Sequence, residues 1–177
     1  MTFGTAVRTC FRKYVGFSGR AARAEYWYFV LFVLIAGLIA SLLDYTLFAD
    51  KYQDANTGAV VVTVSNQPIS ALVTLVLFLP HFAAAWRRMH DTGRSSLYVL
   101  LPSIVSLVAL LVAAFGLGLA DMASGKLDSF LTGATLLLLI PLLILGVLSP
   151  LIVFWWLTRP SQSGPNSYGP NPHEVSP

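Results

Sequence analysis

Four long apolar runs separated by short polar segments dominate the chain. The first runs from Tyr26 to about Phe48 and carries one charge, Asp44, near its far end. The second runs from Ile69 to Trp86 and is expected to continue as a helix to Met89 or His90, giving a span over 69–90. Pro68 suits its first turn, and Pro80 predicts a kink within it. The third covers 97–119, with Ser95 and Ser96 as candidate N-caps. The fourth lies within 130–157 and contains Pro141 and Pro150. At 1.5 Å per residue each run covers the roughly 30 Å hydrocarbon core of a bilayer. The fourth exceeds that need, so it should tilt, kink or start late. Trp155 and Trp156 fit an interfacial aromatic belt.

The flanks follow other patterns. Phe3, Val7, Cys10, Phe11 and Tyr14 recur at helical spacing, interrupted by Arg8, Arg12 and Lys13, which predicts an amphipathic helix at the membrane surface. Between the first two runs, Asn56-Thr57-Gly58 is a turn signal followed by the β-branched run Val60–Val64, so a short hairpin is expected there. Gly93 is a natural stop for the second span. The tail from Arg159 is rich in Pro, Gly, Ser and Asn and has no core of its own. The chain thus divides into a polar segment 1–25, a membrane domain 26–157 and a tail 158–177. The fold class is an all-α integral membrane bundle of four transmembrane helices with an N-terminal amphipathic interfacial helix.

Composition agrees with lipid as the solvent. Of 177 residues, 56% are hydrophobic and 11% charged, against about 25% charged in soluble domains. The single cysteine, Cys10, excludes an internal disulfide. Nine of the eleven Lys and Arg residues fall in segment 1–25, in the turn around Arg87, Arg88 and Arg94, or at Arg159. Only Lys51 and Lys126 fall in the opposite loops. This bias predicts that both termini are cytoplasmic.

Three polar clusters carry most of the chemistry, and all fall on the predicted cytoplasmic side. They are Gly19–Trp27, Arg87–Ser95 and Gly164–Pro172. Arg20, Arg23, Arg87, Arg88 and Arg94 sit near span ends, where guanidinium forks suit anionic headgroups. Glu25 and Asp91 lie among them, which raises a second possibility, a clasp. Each acid would accept hydrogen bonds from arginines of the other segment, tying the first span to the turn after the second. Trp27 and His90 complete the candidate face. His90 beside Asp91 is a poor catalytic dyad, because adjacent helical residues do not face one another. No nucleophile accompanies the pair, and His81, His90 and His173 are too dispersed to bind a metal. Asp44 and His81 are the titratable residues within apolar runs, and such groups default to a functional hypothesis. Asp44 is near enough to the outer interface to be hydrated. In the tail, Gly164, Pro165, Asn166, Tyr168, Gly169 and Pro170 suit an extended strap with tight turns that folds back over the arginines or docks a partner. Basic residues this close to the membrane, with no recognition motif, speak against nucleic-acid binding.

The three clusters, together and in order, resemble the family of small bacterial inner-membrane proteins that includes YhaH and YhaI, catalogued as domain of unknown function 805. Met89 stands where leucine is usual in that family, and Leu97-Tyr98 replaces a frequent aromatic pair. The stretch from Pro102 to Trp156 looks longer than in a typical member. The resemblance implies an inner-membrane location and no particular activity or cofactor. The expected function is therefore non-enzymatic, a small membrane scaffold or adaptor whose Arg/Asp/aromatic face binds anionic lipid headgroups or a protein partner. Rival expectations are a transporter or channel component using His81 and Asp44, and a lipid-acting membrane enzyme.

Overall fold

The computed structural model describes residues 1–53, 60–63 and 66–174. Helix α1 (Phe3–Arg12) opens on a Thr2/Thr5 capping box, in which each threonine hydroxyl accepts from the other's backbone N–H. Such reciprocal capping satisfies donors that a helix start leaves orphaned. Its apolar face buries Ala6 and Cys10 against α2 (Arg23–Phe48), and Phe11 packs edge-on to Phe29 and Phe32. Arg8 and Arg12 point outward. The amphipathic stripe thus becomes a helix docked on the bundle.

Beyond α2, strands β1 (Asp50–Gln53) and β2 (Val60–Thr63) pair antiparallel, with Asp50 opposite Thr63 and Gln53 opposite Val60. The expected turn at Asn56-Thr57-Gly58 lies outside the described residues. Helix α3 (Pro68–Asp91) follows, with Pro80 inside it. Its first turn is capped from another helix. Asp44 is buried, and its carboxylate accepts from the N–H groups of Ile69 (3.0 Å) and Ser70 (2.8 Å). The sequence suggested a hydrated Asp44; the structure corrects this, because the buried carboxylate is turned onto N–H groups that a helix start leaves without an intrahelical partner. Replacing Asp44 with leucine should lower the melting temperature and speed amide exchange in the first turn of α3. Unchanged exchange at Ile69 and Ser70 would contradict this cap.

A 3₁₀ turn (Ser96–Leu100) leads into α4 (Leu101–Met122), and α5 (Lys126–Thr158) is one continuous helix of 33 residues. It starts early, and at about 50 Å it is longer than a bilayer core. α4 and α5 pack chiefly on each other. At their crossing a side chain on Gly116 would lie 2.2 Å from Thr135 Oγ1, so glycine is what lets the backbones approach. Elsewhere both helices present leucine and phenylalanine outward, including Phe115, Leu137 and Leu143. Lipid tails are as apolar as these side chains, so this exposure costs nothing in a membrane.

Candidate functional site: a latched polar cap

α3 ends in five consecutive buried residues, Arg87, Arg88, Met89, His90 and Asp91. Gly93, at φ 72°, then turns the chain into a conformation other residues resist. Asp91 is the hub. One carboxylate oxygen accepts from Arg20 Nε at 2.9 Å. The other accepts from Arg88 Nη1, one helical turn back, and from the Ser161 hydroxyl. The remaining guanidinium donors go to backbone carbonyls. Arg20 donates to Gln162 (2.6 Å) and Gly164 (2.8 Å). Arg88 donates from Nε to Leu157 (3.0 Å) and from Nη2 to Arg159. Cations thereby meet the carbonyl-rich end of α5, where the helix dipole favours positive charge.

A second ion pair lies nearby. Arg87 Nη2 donates to Glu25 Oε1 at 3.0 Å, and Nη1 donates to the carbonyls of Gly16 and Lys13 (3.4 Å), just past α1. The backbone joins in, with Ala21 N–H donating to Arg87 C=O and Gln162 N–H to Asp91 C=O. Segment 13–25, the end of α3 and the tail thus form one unit.

His90 has its own role. Its Nδ1 donates to the Gly19 carbonyl (3.1 Å), which leaves Nε2 to accept from the Ser96 hydroxyl (3.0 Å). Ser96 is thereby removed from the capping role; Ser95 caps the 3₁₀ turn instead. Tyr168 stacks on the His90 ring at 3.8 Å between centroids, tilted only 6°. Asn166 Nδ2 donates to the His90 carbonyl, and Asn166 Oδ1 accepts from Tyr168 N–H. Gly164 and Gly169 turn at positive φ, and residues 166 and 169 bridge each other. The tail is folded over the cap rather than extended away from it. Pro165 and Pro170 are on its outside.

The structure separates residues that the sequence grouped together. Arg20, Arg87 and Arg88 are buried and cannot meet headgroups. Arg23 is exposed. Arg94 lies over the Trp156 ring at 5.3 Å, and Arg159, which the sequence offered only as an orientation charge, lies over Trp155 at 4.9 Å. Trp27 belongs to the aromatic contact of α2 with α5, edge-on to Phe154 at 5.3 Å, and not to the cap. His81 lies away from both the cap and Asp44, beside Tyr26. Ser161, Gln162 and Cys10 join the site without having been singled out for it. Cys10 is fully buried, and burial, reinforced by the Glu25 charge, pushes its thiol up to about 12. Among the described residues no three His, Cys, Asp or Glu side chains are grouped to hold a metal.

Four helices long and apolar enough to cross a bilayer, closed at one end by a buried Arg/Asp cap, define a multi-pass integral membrane protein. The chain belongs to the family described as protein of unknown function DUF805, whose model matches residues 14–170. The inner membrane protein YhaH of Escherichia coli K12 is 38% identical over 90 residues, which are 51% of this chain and 65% of YhaH. The inner membrane protein YhaI of the same strain is also 38% identical over 90 residues, covering 51% of this chain and 64% of YhaI. The matched stretch thus spans a little under two thirds of each relative. No solved structure matches.

Proposed function

We propose that the protein is a non-enzymatic scaffold of the bacterial inner membrane, holding a rigid polar platform at the cytoplasmic surface and seated in anionic lipid. The observation that carries this reading is how the polar groups of the cap are used. Arg20, Arg87, Arg88 and Asp91 are buried and bonded to one another or to backbone. Both ring nitrogens of His90 are engaged and one face is covered. Such a network fixes shape rather than presenting a reactive group.

Lipid would be met by cations outside the latch. Arg23 is exposed, and Arg94 and Arg159 lie over adjacent indoles at the end of α5. Guanidinium above an interfacial tryptophan suits a phosphate at the headgroup level. Helix α1 and the described tail both lie at the cap end, and the excess of Lys and Arg there supports its cytoplasmic placement. Against the transporter reading, Asp44 is already committed to the start of α3.

Two experiments test the proposal. Green fluorescent protein fused at either terminus should fluoresce in cells, and a dark, alkaline-phosphatase-active fusion at one end would overturn the topology. In native mass spectrometry the triple variant Arg23→Ala/Arg94→Ala/Arg159→Ala should retain several-fold less phosphatidylglycerol and cardiolipin than wild type, with its melting temperature little changed. Equal retention would rule out lipid seating through these residues and leave the platform to a protein partner.

A further inference from the structure

Two buried side-chain polar atoms lack a hydrogen-bond partner among the described residues, Arg87 Nε and His81 Nε2. The other nitrogens of Arg87 are well bonded. His81 is the real anomaly, since an unpaired ring nitrogen in hydrocarbon costs the desolvation of a polar group with no return. It lies five residues, about 7.5 Å along the helix, inside Trp86 and beside Tyr26 in the first turn of α2, and so in the cap-side half of the apolar span.

His81 lines two cavities. The larger, ≈ 260 Å³, lies between α2, α3 and α5, with Tyr26, Phe78 and Phe82 among its walls. The smaller, ≈ 150 Å³, runs between α2 and α3 past Gly37, Thr74 and Leu77. Gly37 leaves open space there, because nothing lies within 4 Å of where its Cβ would be.

We propose that these cavities bind an isoprenoid quinone, its head ring in the larger one and one ring oxygen hydrogen-bonded to His81 Nε2. The chemistry selects this class. The ligand must arrive through the membrane, bring a polar atom to His81 within the apolar span, and present a flat ring to aromatic walls. A phospholipid fails on shape, because it has no flat ring to lay against Tyr26, Phe78 and Phe82. An acyl chain fails because it leaves Nε2 unpaired. A quinone satisfies all three conditions in either redox state. An Nε2–H donates to a quinone carbonyl, and an unprotonated Nε2 accepts from a quinol hydroxyl. The isoprenoid chain then follows the apolar surfaces beside Gly37 and Leu77. This inference does not depend on the scaffold reading above.

The test uses the full chain in lipid nanodiscs with decylubiquinone as the probe, read by isothermal titration calorimetry. Wild type should bind saturably at about one molecule per chain, and decylbenzene, with no ring oxygen, should bind about tenfold more weakly or worse. His81→Leu should weaken decylubiquinone by about tenfold, and His81→Gln, which keeps a donor, should recover most of the loss. Absence of saturable binding by wild type, equal affinity for decylbenzene, or a His81→Leu protein that binds like wild type would each overturn the proposal. The decylbenzene comparison needs no variant, so it decides the matter even if His81→Leu does not fold.

Discussion

Replacing Asp91 with alanine is expected to destabilise the protein by about 3–5 kcal/mol, the usual cost of stranding buried charge. That is a large share of the about 5–15 kcal/mol typical of whole domains. The size of the effect comes from the hub geometry. Arg20 and Arg88 both pair with this one carboxylate, and all three side chains are excluded from solvent. Alanine removes the counter-charge and the Ser161 acceptor together, while the guanidiniums stay fixed by carbonyls of Leu157, Gln162 and Gly164. Asp91→Asn should fall between, since it keeps an acceptor and loses the charge. Thermal unfolding in detergent, followed by tryptophan fluorescence, measures both. The cycle with Arg20→Ala should be strongly non-additive, because removing Arg20 from the alanine variant relieves one of the two stranded cations. An Asp91→Ala protein within about 1 kcal/mol of wild type would mean the cap is hydrated, since surface pairs contribute no more than that.

The membrane architecture was readable because each span is a long run of one kind of residue, and hydrocarbon tolerates little else there. The β1–β2 pairing was likewise foreshadowed by a β-branched run after a turn signal. The arginines and acids of the cap were visible as clusters, but their pairing was not. Arg20 and Asp91 are 71 residues apart, and Arg87 and Glu25 are 62 apart. Charge alone does not distinguish a buried arginine such as Arg88 from an exposed one such as Arg23. Most guanidinium bonds of the cap also go to backbone carbonyls, among them those of Gly16, Leu157, Gln162 and Gly164, and a carbonyl has no signature in sequence. Asp44 was misread for a related reason. Its partners are the N–H groups of Ile69 and Ser70, which only the antiparallel packing of α2 and α3 brings near.

Arg87→Lys is expected to unseat α1 although the charge is kept, and Cys10 reports it. Arg87 reaches Glu25, Lys13 C=O and Gly16 C=O through two nitrogens of one planar fork. A lysine ammonium is a single point on a flexible stem and cannot span the same acceptors. The segment after α1 then loses its ionic tie to α3 and keeps only the Tyr14 hydroxyl bond to Val76 C=O and the Phe17 contacts with Phe82 and Trp86. Cys10 is the only cysteine, so labelling by N-ethylmaleimide has no background. With its thiol pushed from 9.0 to about 12, the folded protein at pH 8 holds about a thousandfold less thiolate than an ordinary cysteine. Higher intrinsic nucleophilicity recovers part of this and leaves a net slowing of about fiftyfold, before steric exclusion is added. Release of α1 removes both barriers, so Arg87→Lys should label at least about fiftyfold faster than wild type. Glu25→Ala should do the same, since the stranded Arg87 no longer has its anionic partner beside α1. An unchanged labelling rate in both variants would show that apolar packing and the Tyr14 hydroxyl bond to Val76 hold α1, and that the Arg87–Glu25 pair contributes nothing to its docking.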